Sequence, residues 1–105
     1  MDIAKTIEIV AQTGFPVHFA DGYECDEYPQ LFVAESGTTH FYADNRIYAT
    51  KKNFEIDLTT SGKDPEAESK VESILDASGI SWEKGGDRYE KSSGLVRIRY
   101  TFWGL

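Results

Sequence analysis

Cysteine is almost absent from this chain. The one thiol, Cys25, has no second cysteine to bridge, so the fold cannot rest on an internal disulfide, and a reducing compartment is compatible with it. The spacings that hold a metal are missing too. There is no Cys-x-x-Cys, no paired histidine and no His-Glu-x-x-His; His18 and His40 stand far apart. Glu24, Asp26 and Glu27 surround Cys25 but lack the spacing and the glycine of a calcium loop, so they read as a solvated charge run. No apolar run approaches the roughly 20 residues that span a bilayer. The opening Met1-Asp2-Ile3-Ala4-Lys5 lacks the charged and apolar regions of a signal peptide. The expectation is a soluble protein made and used in the cytoplasm, with no membrane partner. Cations are scarce: 11 lysines and arginines face 18 acids, for a net charge of −7. Specific nucleic-acid binding is disfavoured, because Lys and Arg must displace condensed counterions from phosphates. An acidic chain instead suits basic protein partners, or a surface that nucleic acid passes without adhering.

Catalytic machinery is equally sparse. Cys25 with His18 or His40 and a nearby acid could be drawn as a nucleophile and base, but an acidic loop raises a thiol pKa and suppresses the thiolate. Gly85-Gly86 is followed by no Lys-Ser or Lys-Thr and reads as a bend or bulge rather than a phosphate cradle. Glu55 and Asp57 share one strand face and could act as paired carboxylates only inside a pocket that shifts one pKa; a salt-bridged outer face is the simpler reading. These features point to no enzyme, no cofactor and no metal.

What is present is a clear alternation. Asn53-Phe54-Glu55-Ile56-Asp57-Leu58-Thr59 puts Phe54, Ile56 and Leu58 on one side and Glu55, Asp57 and Thr59 on the other, the period of a strand with one dry face. Ser61-Gly62-Lys63 breaks it. Asp64-Pro65-Glu66 then starts a helix: Asp64 caps free N–H groups, Pro65 loses no hydrogen bond at the first position, and Glu66 and Glu68 lie at the positive end of the dipole. Ala67, Val71, Ile74, Leu75 and Ser78 recur at helical spacing until Gly79, a left-handed cap residue. Ile80 and Trp82 resume a period of two.

The flanks supply further elements. Residues 2–13 read as a helix capped by Asp2, with Ile3, Ile7, Val10 and Ala11 on one side and Gly14 ending it. Phe15, Val17 and Phe19 share a face of a strand that Pro16 confines to a sheet edge. Residues 21–29 form a solvated loop. Leu31-Phe32-Val33-Ala34 is a strand covered on both faces or at an interface, and Glu35-Ser36-Gly37-Thr38-Thr39 turns the chain. Residues 38–52 form an extended hairpin or arm around Asp44-Asn45, and its Phe41, Tyr42 and Tyr48 have few core partners of their own. Residues 81–89 and 95–102 close the chain as a hairpin around Lys91-Ser92-Ser93-Gly94. In the last strand Val96, Ile98, Tyr100 and Phe102 face one way and Arg97, Arg99, Thr101 and Trp103 the other. If that strand lies antiparallel to 53–59, Arg97 and Arg99 meet Glu55 and Asp57, each pair contributing about 0.2 to 1 kcal/mol. Trp82 suits the core; Trp103, opposite the apolar stripe, suits an interface. The candidate interface residues are therefore Phe41, Tyr42, Arg46, Tyr48 and Trp103.

The stripes lack partners unless they supply one another, so residues 1–105 should form one α+β domain, a mainly antiparallel sheet with two helices packed on one face. Tyr42-Ala43-Asp44-Asn45, Tyr48, Asn53-Phe54-Glu55-Ile56-Asp57-Leu58, Lys63-Asp64, Glu68, Val71-Glu72, Leu75-Asp76 and Gly79-Ile80-Ser81-Trp82-Glu83-Lys84 resemble the head-to-tail joining and tail-terminator proteins of long-tailed phages and prophages. Thr59-Thr60 and the Gly104-Leu105 ending depart from that pattern. The resemblance covers roughly residues 41–84. It implies a structural protein of phage or prophage morphogenesis that assembles as a homo-oligomeric ring, a hexamer being one candidate, closing only on assembly. Its partners would be the tail tube protein and the head connector protein. Its location would be the host cytoplasm during assembly and then the virion, at the tail or head–tail junction. The alternative from composition is an acidic protein-binding module, such as an immunity protein or antitoxin facing a basic toxin.

Cys25→Ser should leave thermal stability and assembly nearly unchanged, because an exposed loop thiol contributes little packing. A loss of folding in that variant, or in the parent chain after chelator treatment, would contradict it.

Overall fold

A computed structural model describes residues 3–19, 27–43 and 46–104. Within them, the side chains of residues 3, 39, 41–43, 47–51 and 104 lie outside the description. Helix α1 (Ile3–Ala11) leads into a short strand β1 (Val17–Phe19), followed by two long strands, β2 (Gln30–Ala43) and β3 (Arg46–Ser61). Helix α2 (Pro65–Ala77), the short strands β4 (Trp82–Lys84) and β5 (Arg88–Glu90), and β6 (Leu95–Gly104) complete the order. The sheet runs β1-β2-β3-β6-β4, with β5 also on β6. Among the described residues, only β1 and β2 pair in parallel, and the other pairings are antiparallel. The architecture is α+β, with two helices and a mostly antiparallel mixed sheet.

Both helices bury their apolar residues against the same sheet face. Phe54, Ile56 and Leu58 of β3 and Val96, Ile98, Tyr100 and Phe102 of β6 form one core with Ala67, Val71 and Leu75 of α2 and Ile9 and Val10 of α1. Register explains the fit. Phe54 opposes Phe102, Ile56 opposes Tyr100 and Leu58 opposes Ile98, so two apolar stripes become one surface. The Phe54 and Phe102 rings stack with centroids 5.5 Å apart.

The start and stop of α2 follow from its sequence. The Asp64 carboxylate accepts from the Ala67 backbone N–H at 3.1 Å and Pro65 occupies the first turn. At the other end Gly79 takes φ +73°, a left-handed value that costs a residue without Cβ nothing. Its N–H donates to the Asp76 carbonyl and that of Ile80 to the Leu75 carbonyl, which is the Schellman closure. Ile80 and Leu75 are both buried, supplying the apolar contact that usually accompanies it.

Five local expectations are corrected. Residues 35–39 do not turn the chain: β2 runs through them, and the ladder passes from Glu35↔Phe54 to Gly37↔Asn53, leaving Ser36 as the extra residue of a bulge. Gly37 at φ +140° makes that bulge possible, and the turn-like composition was a bulge signature. On α1 the buried face is Thr6, Ile9, Val10 and Thr13, with Ile7 partly buried, while Ala11 is exposed. Thr13 earns its place by donating to the Val10 carbonyl at 2.8 Å, a bond that needs no apolar side chain. Phe15 and Val17 pack on the core as a shared face implies, but Phe19 at the end of β1 is exposed, and His18 on the opposite side is buried beside the Phe32 ring at 5.1 Å. Thr59 is buried although its alternation partners Glu55 and Asp57 are not. Ser78, placed in the α2 stripe, is exposed as the capping residue.

Trp82 is half-buried. It packs edge-on against Tyr100 at 5.6 Å and its indole N–H donates to Asp76 Oδ1 at 2.8 Å, so β4 is tied to α2 as well as to β6. The loop 85–87, where Gly85-Gly86 sits, separates β4 from β5 on the same partner strand.

Leu75 is fully buried at the centre of the α2 stripe. Leu75→Ala should lower unfolding stability by about 2 to 5 kcal/mol through lost burial and a residual cavity. A urea midpoint equal to that of the parent chain would show that the stripe does not carry the core.

Candidate functional site

The longest feature of the molecule begins where the sheet ends. Strand β6 pairs with β3 from Ser61 to Lys52, where Gly104 opposes Lys52. Past Lys52, among the described residues, β3 pairs with β2 alone, through Thr39↔Lys51, His40↔Thr50, Phe41↔Ala49, Tyr42↔Ile47 and Ala43↔Arg46. Strand β1 flanks β2 only at Leu31, Phe32 and Val33. Residues 38–43 and 46–51 are therefore a two-stranded ribbon rooted in the sheet, and at about 3.3 Å per residue it reaches roughly 20 Å beyond β6. The overall dimensions agree. The Cα extents are 51 × 28 × 24 Å with a radius of gyration of 15.0 Å, against about 13 Å for a compact chain of this length.

The five candidate interface residues divide between the ribbon and its base. Phe41, Tyr42 and Tyr48 lie in the ribbon backbone, and their side chains are outside the described residues. The register shifts between Phe41 and Tyr42, so that Tyr48 is the extra residue of a second bulge. Such bulges twist a ribbon and re-aim what it carries. Arg46 is exposed at the first position of β3. Trp103 is 43% exposed and sits at the ribbon's base, opposite Asn53. The acidic loop around Cys25 lies outside the described residues.

The outer sheet face is ionic, as the alternation of β3 and β6 implied. Asp57 opposes Arg99, whose Nε and Nη2 donate to its two carboxylate oxygens at 2.9 and 3.3 Å. Hydrogen bonding to Asp57, followed by its charge, raises the Arg99 pKa. Glu55 is held more loosely, with Oε2 3.6 Å from Arg99 Nε. Arg88 also approaches Asp57 at 3.6 Å. Glu55 and Asp57 are each paired with a guanidinium, and the groove found among the described residues lies elsewhere.

A second network went unread in the sequence. Glu68 occupies the α2 stripe three residues before Val71, and its side chain is only 6% exposed. Lys63 Nζ donates to Oε1 at 3.1 Å, and Lys84 Nζ lies 2.8 Å from the same oxygen. Oε2 is 2.9 Å from Lys63 Nζ, near enough for an ion pair but off the hydrogen-bond direction, so it accepts no aligned bond. Lys84 also donates to Glu72 Oε2, which accepts from the Tyr100 hydroxyl at 2.9 Å. Lys63 reaches Asp87 at 2.8 Å. Burial opposes ionisation of Glu68, but hydrogen bonds from Lys84 and Lys63 outweigh it and hold the carboxylate below its ordinary range. Burial, then donation to Glu72, pushes the Tyr100 hydroxyl far above its ordinary range. The signal for this cluster was a carboxylate in register with an apolar stripe, with Glu72 one turn further on.

A shallow groove of about 220 Å³ lies between Phe15, Pro29 and the first turns of α2, where Asp64, Glu66, Ala67 and Lys70 line it. It is open, and it brings together no nucleophile and base. Among the described residues, no three His, Cys, Asp or Glu side chains are grouped to hold a metal ion. None of the described helices is long and apolar enough to cross a membrane. No protein-family model matches the sequence, and a search of curated proteins finds no match.

The ionic cluster makes two predictions. Lys84→Met should destabilise by about 3 kcal/mol, since a buried carboxylate loses a partner. Glu68→Gln should cost less, about 1 to 3 kcal/mol, because Lys63 and Lys84 are part-exposed and can turn to water. The pH dependence has a definite sign. A depressed carboxylate pKa contributes stability above the ordinary value of 4.5 and loses it as pH falls through the folded-state value. The gap between parent and Glu68→Gln stabilities should therefore close below pH 4.5. Urea titrations across the acid range would measure it, and a gap that stays constant would show that Glu68 is not held ionised.

Proposed function

We propose that this chain is a structural assembly protein of the head–tail junction or tail terminus of a long-tailed phage or prophage, working as a ring rather than as an enzyme. The observation that carries the reading is the ribbon of residues 38–43 and 46–51, which, among the described residues, leaves the sheet with only its own two strands paired. A two-stranded hairpin is at best marginally stable in water, and its free backbone edges invite another chain. Its residues Phe41, Tyr42 and Tyr48 are the types that anchor protein interfaces. An arm and the surface that receives it are different parts of one molecule, so the contact is head-to-tail, and such contacts close into rings when the rotation permits. Ordering the arm costs conformational entropy, which a tail-tube template offsets. The resemblance of residues 41–84 to joining and terminator proteins supplies the context. The net charge of −7 suits a ring through which a polyanion passes without being gripped.

Electron micrographs of the concentrated protein, alone and with a tail tube protein from the same gene cluster, test the reading. Annular particles are expected. Replacing Phe41, Tyr42 and Tyr48 with serine should leave the monomer's circular dichroism and melting transition intact and abolish the annuli. Particles of one or two subunits under both conditions would overturn the ring, as would co-purification in a tight one-to-one complex with a basic toxin.

A further inference from the structure

The edge of the sheet beside β6 is held unlike the rest of the body. After β4 the chain bends at Gly85-Gly86, runs through β5 and turns back into β6. Both ends of this segment are anchored by backbone hydrogen bonds. The Gly85 N–H donates to the Arg99 carbonyl at 2.8 Å, and the Gly94 carbonyl accepts from the Gly62 N–H at 3.1 Å. A Cβ at position 85 would lie 3.3 Å from that Arg99 oxygen, and Gly94 takes φ +72°, so both anchors favour glycine. Inside the segment the Gly94 N–H donates to the Glu90 carbonyl at 2.8 Å and closes its turn.

Between the anchors burial contributes little. Every residue from 86 to 93 is exposed. Tyr89 stands directly opposite the buried Val96, yet 66% of it remains in water. Among the described residues, β5 pairs with β6 alone, over three positions. That pairing also sets Arg88 opposite Arg97, and like charges across a ladder weaken it. What ties the segment to the body is attraction between opposite charges. Lys63 Nζ donates to the two Asp87 carboxylate oxygens at 3.0 and 2.8 Å, while Arg88 stands 3.6 Å from Asp57 and Arg97 3.5 Å from Glu90. The Lys63 and Asp87 side chains are each about half exposed.

Releasing these ties leaves no buried charge stranded. Lys63 keeps Glu68, Glu68 keeps Lys84, and Asp57 keeps both short bonds from Arg99. We propose that residues 86–93 form a strap that opens as a unit about Gly85 and Gly94, with the Lys63–Asp87 ion pair as its fastener. Opening uncovers the edge of β6 from Leu95 to Arg97, the backbone groups that β5 otherwise pairs, while the core beneath α2 stays closed. An unpaired edge is where a strand can be added. The fastener responds to salt, because exposed charges are screened beyond about 10 Å at 0.1 M and beyond about 3 Å at 1 M. The contact of Lys63 with the buried Glu68 is screened much less. Coverage of the β6 edge therefore depends on ionic strength, whether or not the protein forms a ring.

Amide hydrogen exchange of the whole chain in dilute solution, read by mass spectrometry, tests the strap. Amides of β5 should exchange about tenfold or more faster than those of 54–58 in β3 and 71–75 in α2. Raising sodium chloride from about 0.1 M to about 1 M should speed β5 several-fold and leave the other two segments unchanged. Asp87→Asn removes the fastener's charge and leaves Lys63 its contact with Glu68, so the fold survives. That variant should show, at the lower salt, the β5 rate that the parent reaches only at the higher, and should respond weakly to further salt. Protection of β5 equal to that of 54–58 would overturn the strap, as would salt acceleration spread equally over 71–75. An Asp87→Asn chain that exchanges and responds to salt like the parent would overturn the fastener.

Discussion

Everything in this molecule hangs on the pairing of one strand. β3 is 16 residues long, and its two halves live in different surroundings. From Lys52 to Ser61 it is bonded on one edge to β6, while β2 pairs with it on the other from Thr38↔Lys52 to Gln30↔Thr59. Its apolar residues there are sealed by α2. From Arg46 to Lys51 it has β2 only. The first half has what a strand needs, two hydrogen-bonded edges and a dry face. The second half keeps one edge and has no third strand or helix against it among the described residues. Stability is therefore supplied at one end of the strand and borrowed at the other, which is why the body can present an arm without depending on the arm to fold.

Within the body, carboxylates are set against cations at chosen points: Asp57 with Arg99 across the outer face, Glu68 with Lys63 and Lys84 beneath the helix. The Glu68 cluster links the 61–64 turn, α2 and β4, and Tyr100 joins it from β6 through Glu72. A buried ion pair adds little net stability over an apolar equivalent, but breaking one is costly, so its role is to fix one arrangement of those elements. The acids left over give the chain its net charge of −7.

Much of the body was legible because its signals are local. The cap at Asp64, Pro65 in the first turn and the glycine closure at Gly79 each satisfy orphan backbone groups within a few residues, and the alternations in 53–58 and 96–102 needed only to be laid side by side. The cross-strand partnership of Asp57 and Arg99 followed from that step. What escaped notice was decided by distant parts of the chain. Ser36-Gly37 has the composition of a turn, and only pairing with Asn53 and Phe54 makes it a bulge inside a continuous strand. Glu68 reads as a helix-start acid until Lys84, 16 positions on, is brought to it by β4. His18 and Thr59 are buried on the face that alternation assigned to solvent, through neighbours that sequence spacing does not encode. The extended pairing was legible as a hairpin around Asp44-Asn45, but that Trp103 falls at its base, opposite Asn53, depends on the order of strands in the sheet.

Amide hydrogen exchange followed by mass spectrometry, as a function of protein concentration, tests the division of β3 most directly. Amides of residues 54–60 should exchange slowly, at a rate that does not depend on concentration. Those of 46–51 should exchange orders of magnitude faster in dilute protein and gain protection as copies associate. Equal, concentration-independent protection along the whole strand would contradict the account, because the ribbon would then be stable without a neighbour.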